Sequence, residues 1–155
     1  MAKTIPYIKN FNEWVNEFSF SAEVKVRFSE TDAFGHLNNT NAFVYFEEAR
    51  IDFFKHLGLM DEWLKEESAT IVVTADLQCN YLRQVFFDEK LSVYVKVNHV
   101  GNTSLDIHYL AVNNEGSYCL TGRGAIVQIS KFSGKPVPWD VEVLSDLKEK
   151  QASLQ

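Results

Sequence analysis

Between Asn39 and Leu57 apolar side chains recur with a helical period, and that stretch limits the folds open to the chain. Ala42, Phe46, Ala49 and Phe53 make one stripe, widened by Phe43, Phe54 and Leu57. Gly58 then offers a stop, because glycine readily takes the left-handed conformation that closes a helix. A helix carrying this many phenylalanines must be covered on most of its sides. The rest of the chain therefore has to supply a broad apolar surface.

Four later segments have the right pattern to supply it. Val73, Ala75, Leu77, Cys79 and Tyr81 alternate with polar neighbours. Leu91, Val93, Val95 and Val97 do the same against Ser92, Tyr94, Lys96 and Asn98. A turn at Gly101-Asn102 leads into a strand over 103–112, and Asn113-Asn114-Glu115-Gly116 turns into another over 117–129. Ahead of the helix, residues 22–29 form a first strand with Val24, Val26 and Phe28 on one face. Turns this short imply antiparallel pairing.

The expected fold class is α+β: an antiparallel β-sheet, built as a four-strand meander joining the first strand, wrapped around one long central helix. Phe11, Trp14, Val15 and Phe18 predict a short helix on the body, within a polar-aromatic lead-in over 1–20. Pro136 and Pro138 close the strand region, and 140–150 is predicted as a final polar helix. Exposed sheet edges favour oligomerisation.

At 155 residues and 46% hydrophobic content, the chain is expected to form one domain with a real core. A net charge of −6 argues against a nucleic-acid partner, while a few local cations still suffice for one phosphate cluster. No run approaches the ~18 apolar residues of a membrane span, and the first twenty residues lack an apolar secretory core. A cytoplasmic protein with no membrane partner is expected. Cys79 and Cys119 lie in strand patterns without metal-ligand spacing and read as buried thiols. His56, His99 and His108 fall on separate elements, so no metal site is expected.

The chemistry concentrates between Val26 and Asn39. Asp32 sits on a short loop after the first strand, and seven residues later Asn38-Asn39 opens the helix. That places a carboxylate beside the free N–H groups of a helix start, the natural partners of a developing oxyanion. An activated carbonyl needs a nucleophile or a base, plus such donors. Asp32 fits the first role, and the backbone N–H of Asn39, with that of Asn38, fits the second. Spacing alone favours a plainer reading, in which Asp32 is a turn residue binding its own backbone. His36 fits a general base, or better a residue that positions the loop. Glu47 and Glu48, farther along the helix, are weaker candidates, and Arg50 is spaced to pair with Glu47.

The stretch from Arg27 to Arg50, with Thr31-Asp32, Gly35-His36, Asn38-Asn39 and Phe46-Glu47-Glu48-Ala49-Arg50, resembles the hotdog-fold acyl-CoA thioesterases. It is similar to the hydroxybenzoyl-CoA thioesterase family and its long-chain acyl-CoA relatives. The likeness continues through Tyr81-Leu82-Arg83, Asp88, Gly101-Asn102-Thr103-Ser104 and Ser133-Gly134-Lys135-Pro136, over residues 22–138. It implies a single hotdog domain over 1–155, with 1–20 as an extension and 139–155 as a tail. It also implies that Asp32 is the catalytic carboxylate and that the Asn39 amide polarises the thioester carbonyl. Gly35, His36, Asn38, Arg83 and Ser104 become expected substrate-binding residues. The implied reaction is hydrolysis of acyl-CoA to a free acid and CoA, with no cofactor beyond the CoA of the substrate. The implied assembly is a homodimer or homotetramer, with pantetheine threading the interface between protomers.

Two features depart from the family pattern. Gln84 stands where the family often has proline, and is expected to alter a local strand kink only. Basic residues are scarce near the Gly101 hairpin, which leaves Arg83, Lys90 and Arg123 as candidates for the CoA phosphates. The alternative is a non-catalytic acyl-CoA sensor on the same fold. An intact Asp32 and the lack of a basic reporter segment argue against it. A hotdog hydratase would carry Asp-x-Asn-Pro-x-His, whereas here His36 follows Asp32 by four residues with no Asn-Pro between.

Overall fold

The Phe-rich helix lies against one face of a six-stranded antiparallel sheet. A computed structural model describes the backbone of residues 4–153 and the side chains of residues 4–149. The first three residues of the expected extension and the last two of the tail lie outside the described residues. In chain order the elements are α1 (Phe11–Asn16), β1 (Phe20–Lys25), α2 (Asn41–His56), α3 (Leu59–Trp63), β2 (Thr70–Thr74), β3 (Gln78–Tyr81), β4 (Lys90–Val100), β5 (Ser104–Asn113), β6 (Tyr118–Ser130) and α4 (Val141–Ser153). The strand order is β1-β4-β5-β6-β2, with β3 also pairing along β6.

The meander is shorter than expected. Only β4, β5 and β6 are consecutive neighbours, while the segment read as one strand over 73–81 is two strands, both on β6. Asp76 causes the break. Its carboxylate accepts the Ala125 N–H at 2.8 Å and so takes the place of a ladder carbonyl. The first strand also ends early, at Lys25. Beyond it the Glu30 side chain accepts the Arg27 N–H at 2.8 Å and the Thr31 N–H bonds Phe28 O at 3.1 Å. This tight turn swings Phe28 outward, 78% exposed, while Val24 and Val26 stay buried.

Inside, Leu91, Val93, Val95 and Val97 of β4 and Leu105, Ile107, Tyr109 and Ala111 of β5 meet Ala42, Phe46, Ala49 and Phe53 of α2. Phe46 stacks on Tyr109 with ring centroids 4.6 Å apart and planes 13° from parallel. Its ring also fills the space beside Gly122, where an added Cβ would lie 2.4 Å from Phe46 Cε2. Arg50 does not pair with Glu47. It turns inward, nearly buried, and donates from Nη1 to the Tyr109 hydroxyl at 3.0 Å. Gly58 closes α2 at φ +79°, and the chain goes directly into α3.

Both ends of the chain pack on this body. From the expected tail, Trp139 and Leu147 are buried in the core. From the lead-in, Trp14 of α1 is buried on the opposite face of the sheet. There Trp14 Nε1–H donates to His108 Nδ1 at 2.8 Å, so the His108 proton sits on Nε2, which faces Asp106 Oδ2 at 3.0 Å. Lys96, also buried, pairs with Glu17 just after α1.

Burial pushes the His108 pKa below the usual value of 6.5, against the opposing pull of Asp106. A lowered folded-state pKa means that the unfolded chain takes up the proton first. Stability is therefore complete above the ordinary histidine range and is lost as pH falls through it toward the folded value. Urea midpoints should fall between about pH 7 and pH 5.5 more steeply in wild type than in His108→Gln. Equal slopes in the two proteins would remove His108 as the cause.

Candidate active site

The loop before α2 is held at several points. The Asn38 N–H donates to Glu30 O at 2.8 Å, and Asp32 N–H to His36 O at 2.8 Å. Gly35, at φ +80°, supplies the left-handed residue that this four-residue reversal needs. Leu37 N–H reaches across to Val85 O at 2.7 Å, and His36 bridges to Phe86, whose ring meets the imidazole edge-on at 5.1 Å. Glu30 Oε1 also accepts from the Tyr45 hydroxyl at 2.9 Å. Desolvation and that carboxylate raise the Tyr45 pKa, so it remains a donor.

Asp32 shows the plainer reading and leaves room for the catalytic one. Its Oδ1 accepts the N–H groups of Phe34 at 2.8 Å and His36 at 3.3 Å, an Asx-type turn. Oδ2 has no hydrogen bond among the described residues, and the side chain is exposed to a cavity. Backbone bonds therefore orient the carboxylate while one oxygen stays free.

Asn39 precedes the helix and does not begin it. The helix starts at Asn41, two residues later than the sequence suggests. Asn38 explains the delay: its Oδ1 accepts the Thr40 N–H at 3.1 Å and the Thr40 hydroxyl at 3.0 Å, closing a turn of its own. The amides of Asn38, Thr40 and Asn41 are thus all engaged. The Asn39 N–H between them has no partner among the described residues.

Asp32, His36 and Asn39 line one cavity of about 290 Å³ with Arg83, Gln84 and Tyr81. Leu37, Leu82, Val85 and Leu120 give it an apolar wall. A free carboxylate oxygen, an unengaged backbone donor and an apolar wall together suit an acyl carbonyl that is to be attacked.

Of the expected substrate-binding residues, His36 and Arg83 reach this cavity. Gly35 and Asn38 shape the loop instead. Ser104 lies elsewhere: it pairs with Val127 on β6, seven residues or roughly 23 Å along the strand from Leu120. Its carbonyl accepts from Gly101 N–H and Trp139 Nε1–H, a hairpin role within the protomer.

Arg123 is removed as a phosphate ligand. Its guanidinium bonds Asp106 at 2.8 and 2.9 Å and Asp76 at 3.3 Å. Arg83, exposed and bonded to Ser117 Oγ at 3.0 Å, borders a second cavity of about 440 Å³ that Lys90 also lines, beside Asp88, Glu89 and Glu115. Gln84 lines both cavities, a larger part than a strand kink alone. Glu47 and Glu48 are exposed and line neither cavity. Sequence reading gave no role to Tyr81, Leu37, Leu82, Val85 or Leu120. Only the pairing of β3 with β6 and of Leu37 with Val85 brings them to the loop.

Among the described residues, no group of three His, Cys, Asp or Glu side chains is placed to hold a metal ion. No described helix is long and apolar enough to cross a membrane. Both cysteines are free thiols, Cys119 buried and Cys79 partly so.

Comparison with known proteins bears on the family and the fold. A family model described as the thioesterase-like superfamily matches residues 26–147. The uncharacterized protein YsmA of Bacillus subtilis (strain 168) is 52% identical over 132 residues, covering 85% of this chain and 87% of its own. The acyl-CoA thioesterase YbgC of Haemophilus influenzae is 30% identical over 125 residues, 80% of this chain and 90% of its own. Among solved structures, a DHNA-CoA thioesterase from Staphylococcus aureus superposes with a TM-score of 0.74 at 28% identity, covering 89% of this chain and 91% of that one.

Proposed function

This chain belongs to the thioesterase-like superfamily, and we propose that it hydrolyses acyl-CoA to a free carboxylic acid and CoA. Its fold is the hotdog arrangement expected from the sequence, a sheet wrapped on one long helix. One observation carries the reading of the site: Asp32, whose Oδ2 has no hydrogen bond among the described residues, and Asn39, whose N–H has none either, line the same partly apolar cavity. The relatives named as thioesterases of CoA esters support a CoA thioester as substrate.

In this reading the thioester carbonyl oxygen accepts from the Asn39 N–H, which stabilises the negative charge that develops on attack. Asp32 either takes a proton from the attacking water or attacks the carbonyl carbon itself to give an anhydride that water then opens. The CoA thiolate leaves in both cases. Arg83 and Lys90 remain the candidates for the CoA phosphates. The site of action is the cytoplasm, and the assembly is a homodimer or homotetramer. Phe34, Phe86 and Phe87, exposed beside the loop, support a second copy covering this face.

The test is a panel of acyl-CoAs of increasing chain length together with aromatic acyl-CoAs. At least one should be hydrolysed with kcat/KM on the order of 10⁴ M⁻¹s⁻¹ or more. Uniformly negligible rates would instead favour the sensor alternative or an acyl-carrier-protein substrate.

A further inference from the structure

We infer that Tyr81 is a positioning residue for this site, its hydroxyl holding the Asn39 carbonyl so that the Asn39 N–H stays aimed into the cavity. The inference rests on the thioesterase reading above and assigns a part in it to a residue outside the catalytic loop. The Tyr81 hydroxyl donates to Asn39 O at 2.6 Å, across 42 residues of chain.

Two peptide planes flank Asn39, and both are trans. In a trans peptide the N–H and C=O point in opposite directions. The Asn38 carbonyl accepts from Asn41 N–H at 2.9 Å, so the Asn39 N–H in the same plane is turned the other way. That bond is local and belongs to a turn ahead of the helix. The Tyr81 bond is the tie that fixes the following plane to the sheet.

The anchor is rigid. Tyr81 pairs with Leu120 on β6, and the next two amides, of Leu82 and Arg83, both donate to Cys119 O at 2.9 and 3.2 Å. Both Tyr81 and Leu120 line the cavity, so β3 and β6, which contribute to its lining, also hold the peptide next to the oxyanion donor. Burial and the neighbouring Cys79 push the Tyr81 pKa up to about 12, which keeps its proton in place at ordinary pH. Tyr81 is 47% exposed and outside the buried core, so removing the hydroxyl alone leaves the core intact.

The experiment is Tyr81→Phe in the full chain, with kinetics on the best acyl-CoA of the panel and the order parameter of the Asn39 amide by ¹⁵N relaxation. Expected are a fall in kcat of about 10- to 100-fold, KM within about twofold, an unchanged melting temperature and a more mobile Asn39 amide. Asp32→Asn, by contrast, should leave that amide as it is. An unchanged kcat, or a loss confined to KM, would overturn the inference, as would an Asn39 amide equally ordered in Tyr81→Phe. A wild type that hydrolyses no thioester would defeat the functional reading alone. The amide measurement would still decide whether Tyr81 holds Asn39.

Discussion

Asp32→Asn should reduce thioester hydrolysis by on the order of 100-fold or more, with little change in melting temperature. The substitution separates chemistry from structure because the asparagine amide oxygen can keep the two bonds that Oδ1 now accepts from Phe34 and His36. The loop should hold its shape while the negative charge and the free oxygen are lost. Asp32→Ala removes both the charge and the turn bonds, so it should be at least as inactive and somewhat less stable. A variant with Ala that retains more than a tenth of the wild-type rate would defeat the catalytic role and leave Asp32 as a turn residue. Single turnover in ¹⁸O water then tests the covalent route. Label entering Asp32 marks an anhydride opened at the Asp32 carbonyl, whereas label in the product acid alone fits both general-base action and an anhydride opened at the acyl carbon.

What could be read from the sequence divides along the range of the interactions. The stripe on α2 and the alternation of β4 are local periodicities, and the structure keeps both. The turn at Asp32 is legible for the same reason, since Gly35 and the Asp32 carboxylate act on neighbours within a few residues. Two misreadings are local, the early end of β1 at the Glu30–Arg27 turn and the late start of α2 behind Asn38. The others involve partners distant in sequence. Asp76 breaks a strand only because Ala125 and Arg123 lie opposite it. The same contact withdraws Arg123 from phosphate binding. Arg50 faces Tyr109 instead of Glu47 because the sheet offers a buried hydroxyl where a helix wheel shows only neighbours on α2. Tyr81 belongs both to the alternating strand pattern and to the Tyr81-Leu82-Arg83 likeness, and its bond to Asn39 follows only from the placement of β3 beside the loop. Ser104 carries a family-like motif, yet strand length puts it far from the cavity of its own protomer.

Phe46→Ala should destabilise the fold by about 3–5 kcal/mol, the largest effect expected from any single core change of this size. The ring is fully buried, stacked on Tyr109 and pressed against Gly122, so its loss leaves a void between α2 and two strands. Gly122→Ala should be destabilising for the opposite reason, by about 1–3 kcal/mol, since its new methyl meets Phe46 at 2.4 and 2.8 Å and Gln78 O at 2.9 Å. The two changes share one space, so their effects should not add. In the Phe46→Ala background the methyl enters the void, and only the contact with Gln78 O remains. The double variant should therefore be less destabilised than the sum of the singles, with a coupling of about 1 kcal/mol or more by urea denaturation. Strict additivity would mean that Phe46 does not rest on Gly122, and that the helix meets the sheet differently at the point where the apolar stripe first requires cover.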